Sequence, residues 1–254
     1  MCSPRLRARQ SNRIPAPLRR GAHATPHMPP GYPAPVPISI RVTKIHHACL
    51  TIDDGRTRLL LDPGQLGRHP GLDGIDAVFI THRHSDHLDP GLVEEALRRG
   101  IPVWVPGDAL DELGGLGARG EDGLHEAVTG TTLRIGTLPV QVAGNRHAEV
   151  HPTLPGPANR AYLVAGRVLV TGDEHPVPPD RLTALVTPVD APWLRVADLI
   201  RYVRALRPEL VIGVHDGLLN ADGLAVARHV AESLRNEGVA RATILADGEA
   251  TIVP

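Results

Sequence analysis

The chain has 254 residues, 42% of them hydrophobic, with 27 Lys plus Arg against 28 Asp plus Glu, so it has no basic field to gather nucleic acid or anionic lipid. No apolar run reaches the roughly 18–20 residues of a membrane-spanning helix, so no membrane partner is expected. Only two cysteines, Cys2 and Cys49, are present, which excludes a disulfide framework and a thiolate zinc site.

Residues 1–37 contain six Arg, nine Pro and no acid. They show no periodicity and read as a disordered extension ahead of one domain over 38–254. Arg19 and Arg20 are followed by no apolar segment, so no export signal is read and a cytoplasmic protein is expected. From Ile38 onward, the runs ISIRVTKI, ACLTID, TRLLLD and AVFIT predict strands separated by turns. Asp89 then offers an N-cap, Pro90 the first helical position, and Gly100 a stop, which predicts a helix over the intervening LVEEALRR. IPVWV, TTLRI, LPVQVA, RAYLV, RVLVTG, ALVTPV and LVIGVH predict further strands. Apolar positions 196, 199, 200, 203 and 206 define one face of a helix, as do Leu224, Ala227, Val230, Ala231 and Leu234. ATILAD and EATIVP read as a terminal strand pair. Strands mixed with helices imply an α/β sandwich with helices over sheet faces, although periodicity alone does not separate a doubly wound sheet from two packed sheets.

Fourteen histidines are many for this length, and histidine is the commonest metal ligand. The segment Thr81-His-Arg-His-Ser-Asp-His-Leu-Asp89 concentrates His82, His84, Asp86 and His87 in the loop between an apolar strand and the capped helix. Alternate residues of an extended segment project to one side, so His82 and His84 can grip one ion while Asp86 and His87 turn toward a second. Three other strand-like runs end in a potential ligand: Val140 to Ala143 ahead of His147 and His151, Val168 to Thr171 ahead of Gly172-Asp173, and Leu210 to Val214 ahead of His215-Asp216. A rigid strand end is a good place from which to present a reactive group.

The order HxHxDH, His, Asp, His resembles the metallo-β-lactamase superfamily of metal-dependent hydrolases over residues 38–254, on the side of its lactonases and phosphodiesterases. The resemblance implies a four-layer αββα sandwich with the active site at one edge, and its first motif matches Asp62 in LLLDPG. It implies that His82, His84 and His147 hold one ion, that Asp86, His87 and His215 hold the other, and that Asp173 bridges them. Asp62 would orient the loop and a ligand imidazole by hydrogen bonding. His151 competes with His147 in HAEVH; His147 is assigned because it follows the strand and Gly144 directly, which leaves His151 to substrate. His47 in KIHHAC resembles a histidine found early in lactonase-like relatives and is placed beside the site.

The cofactors implied are two divalent ions, zinc first, with Mn2+, Fe2+ or Ni2+ admitted by N and O ligation. Two ions sharing an oxygen lower the pKa of water from about 15.7 toward about 7 and so supply hydroxide. The expected partner is a small-molecule ester, lactone or phosphodiester. Arg160 is a candidate for holding a phosphate or carboxylate in its planar fork. Rival readings are a ribonuclease-type phosphodiesterase, disfavoured by scarce basic and aromatic surface, a mononuclear-iron redox enzyme, and a non-catalytic metal-stabilised binding module. A homo-oligomer is compatible with the sequence.

Overall fold

Successive side chains of a strand point to opposite faces, so a strand apolar on both faces must be covered twice. The computed structural model describes residues 39–68, 70–114 and 123–254, and the extension expected over 1–37 lies outside the described residues. Among the described residues, two seven-stranded sheets form. Across the first lie β14 (Ala250–Val253), β1 (Ile40–His46), β2 (Cys49–Asp53), β3 (Arg58–Leu61), β4 (Ala77–Phe79), β5 (Val103–Val105) and β6 (Leu124–Glu126). Across the second lie β13 (Arg241–Ile244), β12 (Leu210–Val214), β11 (Ala184–Pro188), β10 (Val168–Val170), β9 (Ala161–Val164), β8 (Leu138–Ala143) and β7 (Thr132–Ile135).

The alternation of side chains resolves the layers. Leu59, Leu61, Ala77 and Phe79 of one sheet meet Val168, Val170, Ala184, Val186, Leu210 and Ile212 of the other in the central core. The intervening Leu60 and Val78 face outward, under Leu92, Val93 and Ala96 of α1 (Pro90–Arg98) and Ala109 of α2 (Gly107–Leu113). Leu169, Leu185 and Val211 face outward in the other direction, under Leu199 and Val203 of α3 (Val196–Leu206) and Ala227 and Ala231 of α4 (Ala221–Ser233). The result is a helix–sheet–sheet–helix αββα sandwich. Each fully buried Val, Leu or Ile side chain contributes about 1.5–3 kcal/mol.

The two sheets repeat one plan. In each, four strands pair antiparallel and the remaining three add parallel. Asp62 therefore follows the last antiparallel strand of the first sheet and Asp173 the last antiparallel strand of the second. The histidine-rich loop follows β4, and its counterpart after β11 is the loop containing Trp193. Asp89 caps α1 by accepting the N–H groups of Gly91 and Leu92.

One expectation changes. ATILAD and EATIVP do not pair with each other: β13 adds parallel to β12, whereas β14 adds antiparallel to β1 in the opposite sheet. Both segments are apolar and extended, and their local pattern carries no information about which sheet each joins. Helix α2 and the three-residue β6 were not foreseen; α2 has only seven residues and no side-chain cap to announce it. Among the described residues, no helix is long and apolar enough to cross a membrane.

Tyr162 is fully buried between the sheets, and its hydroxyl donates to the carbonyl of Ile80 at 2.7 Å, just ahead of the histidine-rich loop. Tyr162→Phe is expected to cost about 0.5–1.5 kcal/mol in chemical denaturation, the net value of one such hydrogen bond.

Candidate metal centre

The loops at one end of the parallel strands bring the charged and imidazole side chains together. Thr81 and His82 follow β4, Asp173 follows β10, His215 follows β12, and His47 occupies the tight turn from β1 to β2. Three site residues hold left-handed backbone, His47 at φ 52°, Asp62 at 48° and His215 at 65°. Such conformations cost about 1–3 kcal/mol each and persist where surrounding contacts over-determine them. The N–H of His215 donates to the carbonyl of His47 at 3.1 Å, joining two of the three. Lys44, the sole lysine of the chain, is buried with its ammonium bonded to Asp216 and to the Leu245 carbonyl, which secures the turn after His215. Gly172 has φ 59°, and a Cβ there would meet Asn159 Oδ1 at 2.4 Å and Thr81 Cβ at 2.7 Å. Only glycine lets the chain turn from β10 to Asp173.

Ligand-type atoms of three groups lie within 4.8 Å of one another: His82, His84 and His147; Asp86, His87 and His215 with His47; and His82, His87 and Asp173. Asp173 reaches both clusters, with Oδ2 at 3.3 Å from His147 Nε2 and 3.4 Å from His215 Nε2, and Oδ1 at 3.4 Å from His87 Nε2. Asp86 Oδ2 lies 3.2 Å from His215 Nε2. His82, His87, His147, Asp173 and His215 are buried, whereas His84 is exposed and Asp86 partly so, which puts these two at the opening.

Hydrogen bonds on the far side of each ring fix the tautomers. Asp62 accepts the N–H and hydroxyl of Thr81, both at 2.7 Å, and pairs with His87 Nδ1 at 2.8 Å. A carboxylate only accepts, so His87 carries a proton on Nδ1 and aims Nε2 at the cluster. The Thr81 hydroxyl donates to Asp62, so His82 Nδ1 at 3.1 Å donates to the Thr81 oxygen and the lone pair of His82 Nε2 faces His84 Nδ1, 3.1 Å away. His147 Nδ1 donates to the Ala148 carbonyl at 2.7 Å, which likewise leaves the lone pair on Nε2. His47 is the reverse case. Its Nδ1 accepts the Gly217 N–H at 3.0 Å, so the proton is on Nε2 and is donated to Asp86 Oδ2 at 3.3 Å. His47 therefore presents a donor where the other rings present a lone pair.

This donor set fits a divalent cation. Imidazole nitrogen and carboxylate oxygen are suitable ligands for zinc and its neighbours, and two buried polar atoms in the cluster, His87 Nε2 and Asp173 Oδ1, have no hydrogen-bond partner. The electrostatics point the same way. Burial would raise the Asp86 carboxyl, but hydrogen bonds from His215 and His47 and the neighbouring imidazole charges outweigh it and hold it far below the carboxylate range. Burial likewise opposes the charge on Asp173, and His87, His147, His215 and His82 together hold it well down. His87 is disfavoured as a cation by burial, yet Asp62, Asp173 and Asp86 raise it to about 9. Desolvation and neighbouring imidazoles keep His82 well below its ordinary value and lower His84.

His151 is not brought into the cluster. It is exposed on the loop beyond His147, and its Nδ1 accepts from the Thr153 N–H and lies 3.1 Å from the Thr153 hydroxyl. Arg160 is also engaged elsewhere: Nε donates to the Ala127 carbonyl, and Nη1 to those of Asn145 and Asn159. Two supporting residues carried no sequence signal of their own. Thr81 joins Asp62 to His82, and buried Asn159 accepts the Asp173 N–H at 3.1 Å while donating to the Thr171 carbonyl at 2.9 Å. A threonine before a motif and an asparagine before a strand look ordinary until their partners are known.

A family model for the beta-lactamase superfamily domain matches residues 41–215. The chain is 29% identical over 197 residues to Protein Rv0786c of Mycobacterium tuberculosis, covering 74% of this chain and 89% of that protein. It is 26% identical over 144 residues to a protein of Rhizobium leguminosarum bv. trifolii named as a UPF0173 metal-dependent hydrolase, covering 53% of this chain and 59% of that one. Among solved structures, the metallo-beta-lactamase fold protein YhfI from Bacillus subtilis superposes with a TM-score of 0.63 at 16% identity, over 84% of this chain and 99% of that one.

Because His87 is raised to about 9, it is protonated at neutral pH without metal and must release that proton to coordinate. Calorimetry of zinc binding at pH 7 in buffers of different ionisation enthalpy is expected to report about one proton released from His87 per chain. In the metal-free protein, the stabilisation from this raised pKa is fully present below the ordinary 6.5 and is lost as pH rises through about 9. Urea titrations across that window would show the decline. Asp62→Asn removes the charge that holds His87, and zinc affinity should fall by about 10–100-fold in a competition titration.

Proposed function

The chain belongs to the beta-lactamase superfamily, and on that premise we propose that it is a metal-dependent hydrolase with a binuclear centre, acting on a small-molecule ester or lactone. The observation that carries this reading is the convergence of His82, His84 and His147, and of Asp86, His87 and His215, with Asp173 between the two sets. His82, His84 and His147 would hold one ion, and Asp86, His87 and His215 the other. When bound, two such ions, zinc in the first instance, supply Lewis acidity and a water that ionises near neutral pH.

The chain's own groups do the remaining work. Asp62 and Thr81 hold the rings of His87 and His82 with Nδ1 protonated and Nε2 aimed at the cluster, so that on engaging a cation the rings keep their orientation and His87 has only its Nε2 proton to release. His47 keeps a proton on Nε2 and fixes Asp86 through it. Substrate approaches from the side of His84 and Asp86, the more open members of the two clusters.

A carbonyl substrate is favoured over a phosphodiester by the state of the neighbouring arginines. Arg83, in the histidine-rich loop, pairs with Asp108 and Glu112. Arg146 bonds the Gly156 carbonyl, and Arg160 is committed to three carbonyls. Each of these guanidinium groups already serves the protein, whereas a phosphodiester would draw on such a fork for its fixed charge.

The test is metal content per chain together with turnover of aryl esters, lactones and a bis-aryl phosphate. Two divalent ions, ester or lactone hydrolysis, and loss of activity on chelation are expected. His84→Ala should lower the metal content by one ion and the rate by about 100-fold or more. Full activity in a metal-free preparation would refute the proposal, and a preference for the phosphate would refute the choice of bond.

A further inference from the structure

Asp173 is the carboxylate that reaches both ligand clusters, so its orientation matters most, and the imidazoles around it are poor long-term anchors. A ring nitrogen that turns its lone pair to a cation no longer donates a hydrogen bond to Asp173. His147, whose proton is on Nδ1, already faces Asp173 with a lone pair, and the Nε2 atoms of His215 and His87, each 3.4 Å from the carboxylate, would do so on coordinating. Trp193 does not. Its indole Nε1 donates to Asp173 Oδ2 at 2.9 Å, and an indole N–H has no lone pair to offer a metal, so the bond survives whatever fills the centre.

The indole is itself held in place. In the sequence Asp190-Ala-Pro-Trp-Leu, the Leu194 N–H closes a turn onto the Ala191 carbonyl at 3.0 Å, and Leu194 packs beneath the helical layer. Val189 bonds the Val214 carbonyl at 2.9 Å, immediately before His215. The ring stands edge-on to His175 at 5.3 Å, and His175 stacks on Tyr202 of α3 at 4.4 Å. The Tyr202 hydroxyl is tied to the Pro176 carbonyl at 2.8 Å. In the plan shared by the two sheets, this loop occupies the place taken by the histidine-rich loop in the first.

We propose that Trp193 is the positioning residue for Asp173: its N–H pins Oδ2 between the clusters and leaves Oδ1 turned toward His87. The inference rests on the metal-hydrolase reading for its consequence, although the hydrogen bond itself does not. A purely structural tryptophan would act through ring packing, which Trp193→Phe largely keeps while removing the only donor.

The experiment uses the full chain, zinc as the probe and two readouts. Competition against a chromogenic chelator should show zinc binding weakened by about 10–100-fold in Trp193→Phe, the usual effect of losing a group that orients a ligand. In 15N-labelled protein the two tryptophans give two indole signals. The signal absent from Trp193→Phe, or remaining in Trp104→Phe should the first variant not fold, is expected downfield of a free indole in metal-free protein and is expected to move when zinc is added. The Trp104 indole, whose Nε1 is buried without a hydrogen-bond partner, should do neither. Unchanged zinc affinity in folded Trp193→Phe, or a Trp193 proton at the free-indole position in metal-free wild type, would overturn the proposal. A wild type that takes up no zinc would overturn the metal-centre reading instead, and the shift in metal-free protein would still decide the hydrogen bond.

Discussion

A carboxylate taken out of water must be answered by positive charge or by donors, or it will not stay ionised. Asp62 and Asp173 are buried, with Asp86 beside them at the opening, and the protein answers them with imidazoles. His87 is the hinge of this arrangement, since Asp62 lies on one side of its ring and Asp86 and Asp173 lie on the other. Without a cation, its second proton supplies the missing charge; with one, the proton is redundant. The same geometry therefore serves as a stable buried ion cluster and as a waiting ligand set.

The sandwich makes such a cluster affordable. Two sheets whose strands are apolar on both faces bury a continuous core between them and two further cores under the helices. That leaves stability to spend on left-handed backbone at His47, Asp62 and His215. The strain falls at strand ends, where the chain must turn sharply and still aim a side chain inward, and backbone contacts such as His215 N–H to the His47 carbonyl hold it there.

The two halves of the fold contribute unequally to the centre. The first sheet supplies the dense histidine loop and Asp62, while the second supplies isolated residues, His147, Asp173 and His215, each at the end of a separate strand. Residues outside the ligand set stand behind them: Thr81, Asn159, Lys44 and Trp193 each bond a ligand-bearing segment or its carboxylate. The arginines near the centre are used in the same way, with Arg83, Arg146 and Arg160 holding loops.

Much of the architecture was legible in the chain alone. Short apolar, β-branched runs bounded by turn residues marked most strands, Asp89-Pro90 and Gly100 framed α1, and the cluster His82, His84, Asp86 and His87 announced a metal centre, because ligand spacing and capping are local properties that a linear sequence records. The sequence also determined that any ion would be held by histidines and carboxylates, since thiolates are scarce. Other features are non-local. Strands β13 and β14 look alike yet join opposite sheets, and His147, preferred over His151 in HAEVH for its place after the strand, is seen to face the cluster only once the loop turns it inward and leaves His151 in solvent. The proton on His47 depends on the Gly217 N–H, 170 residues away. Arg160 is a candidate ligand for substrate by residue type alone, and only its partners, three carbonyls, show it engaged elsewhere, just as only the contact with Asp173 ties Trp193 to the centre. Spacing decides which residue types can act together, whereas tertiary packing decides which atom of each is turned to the others.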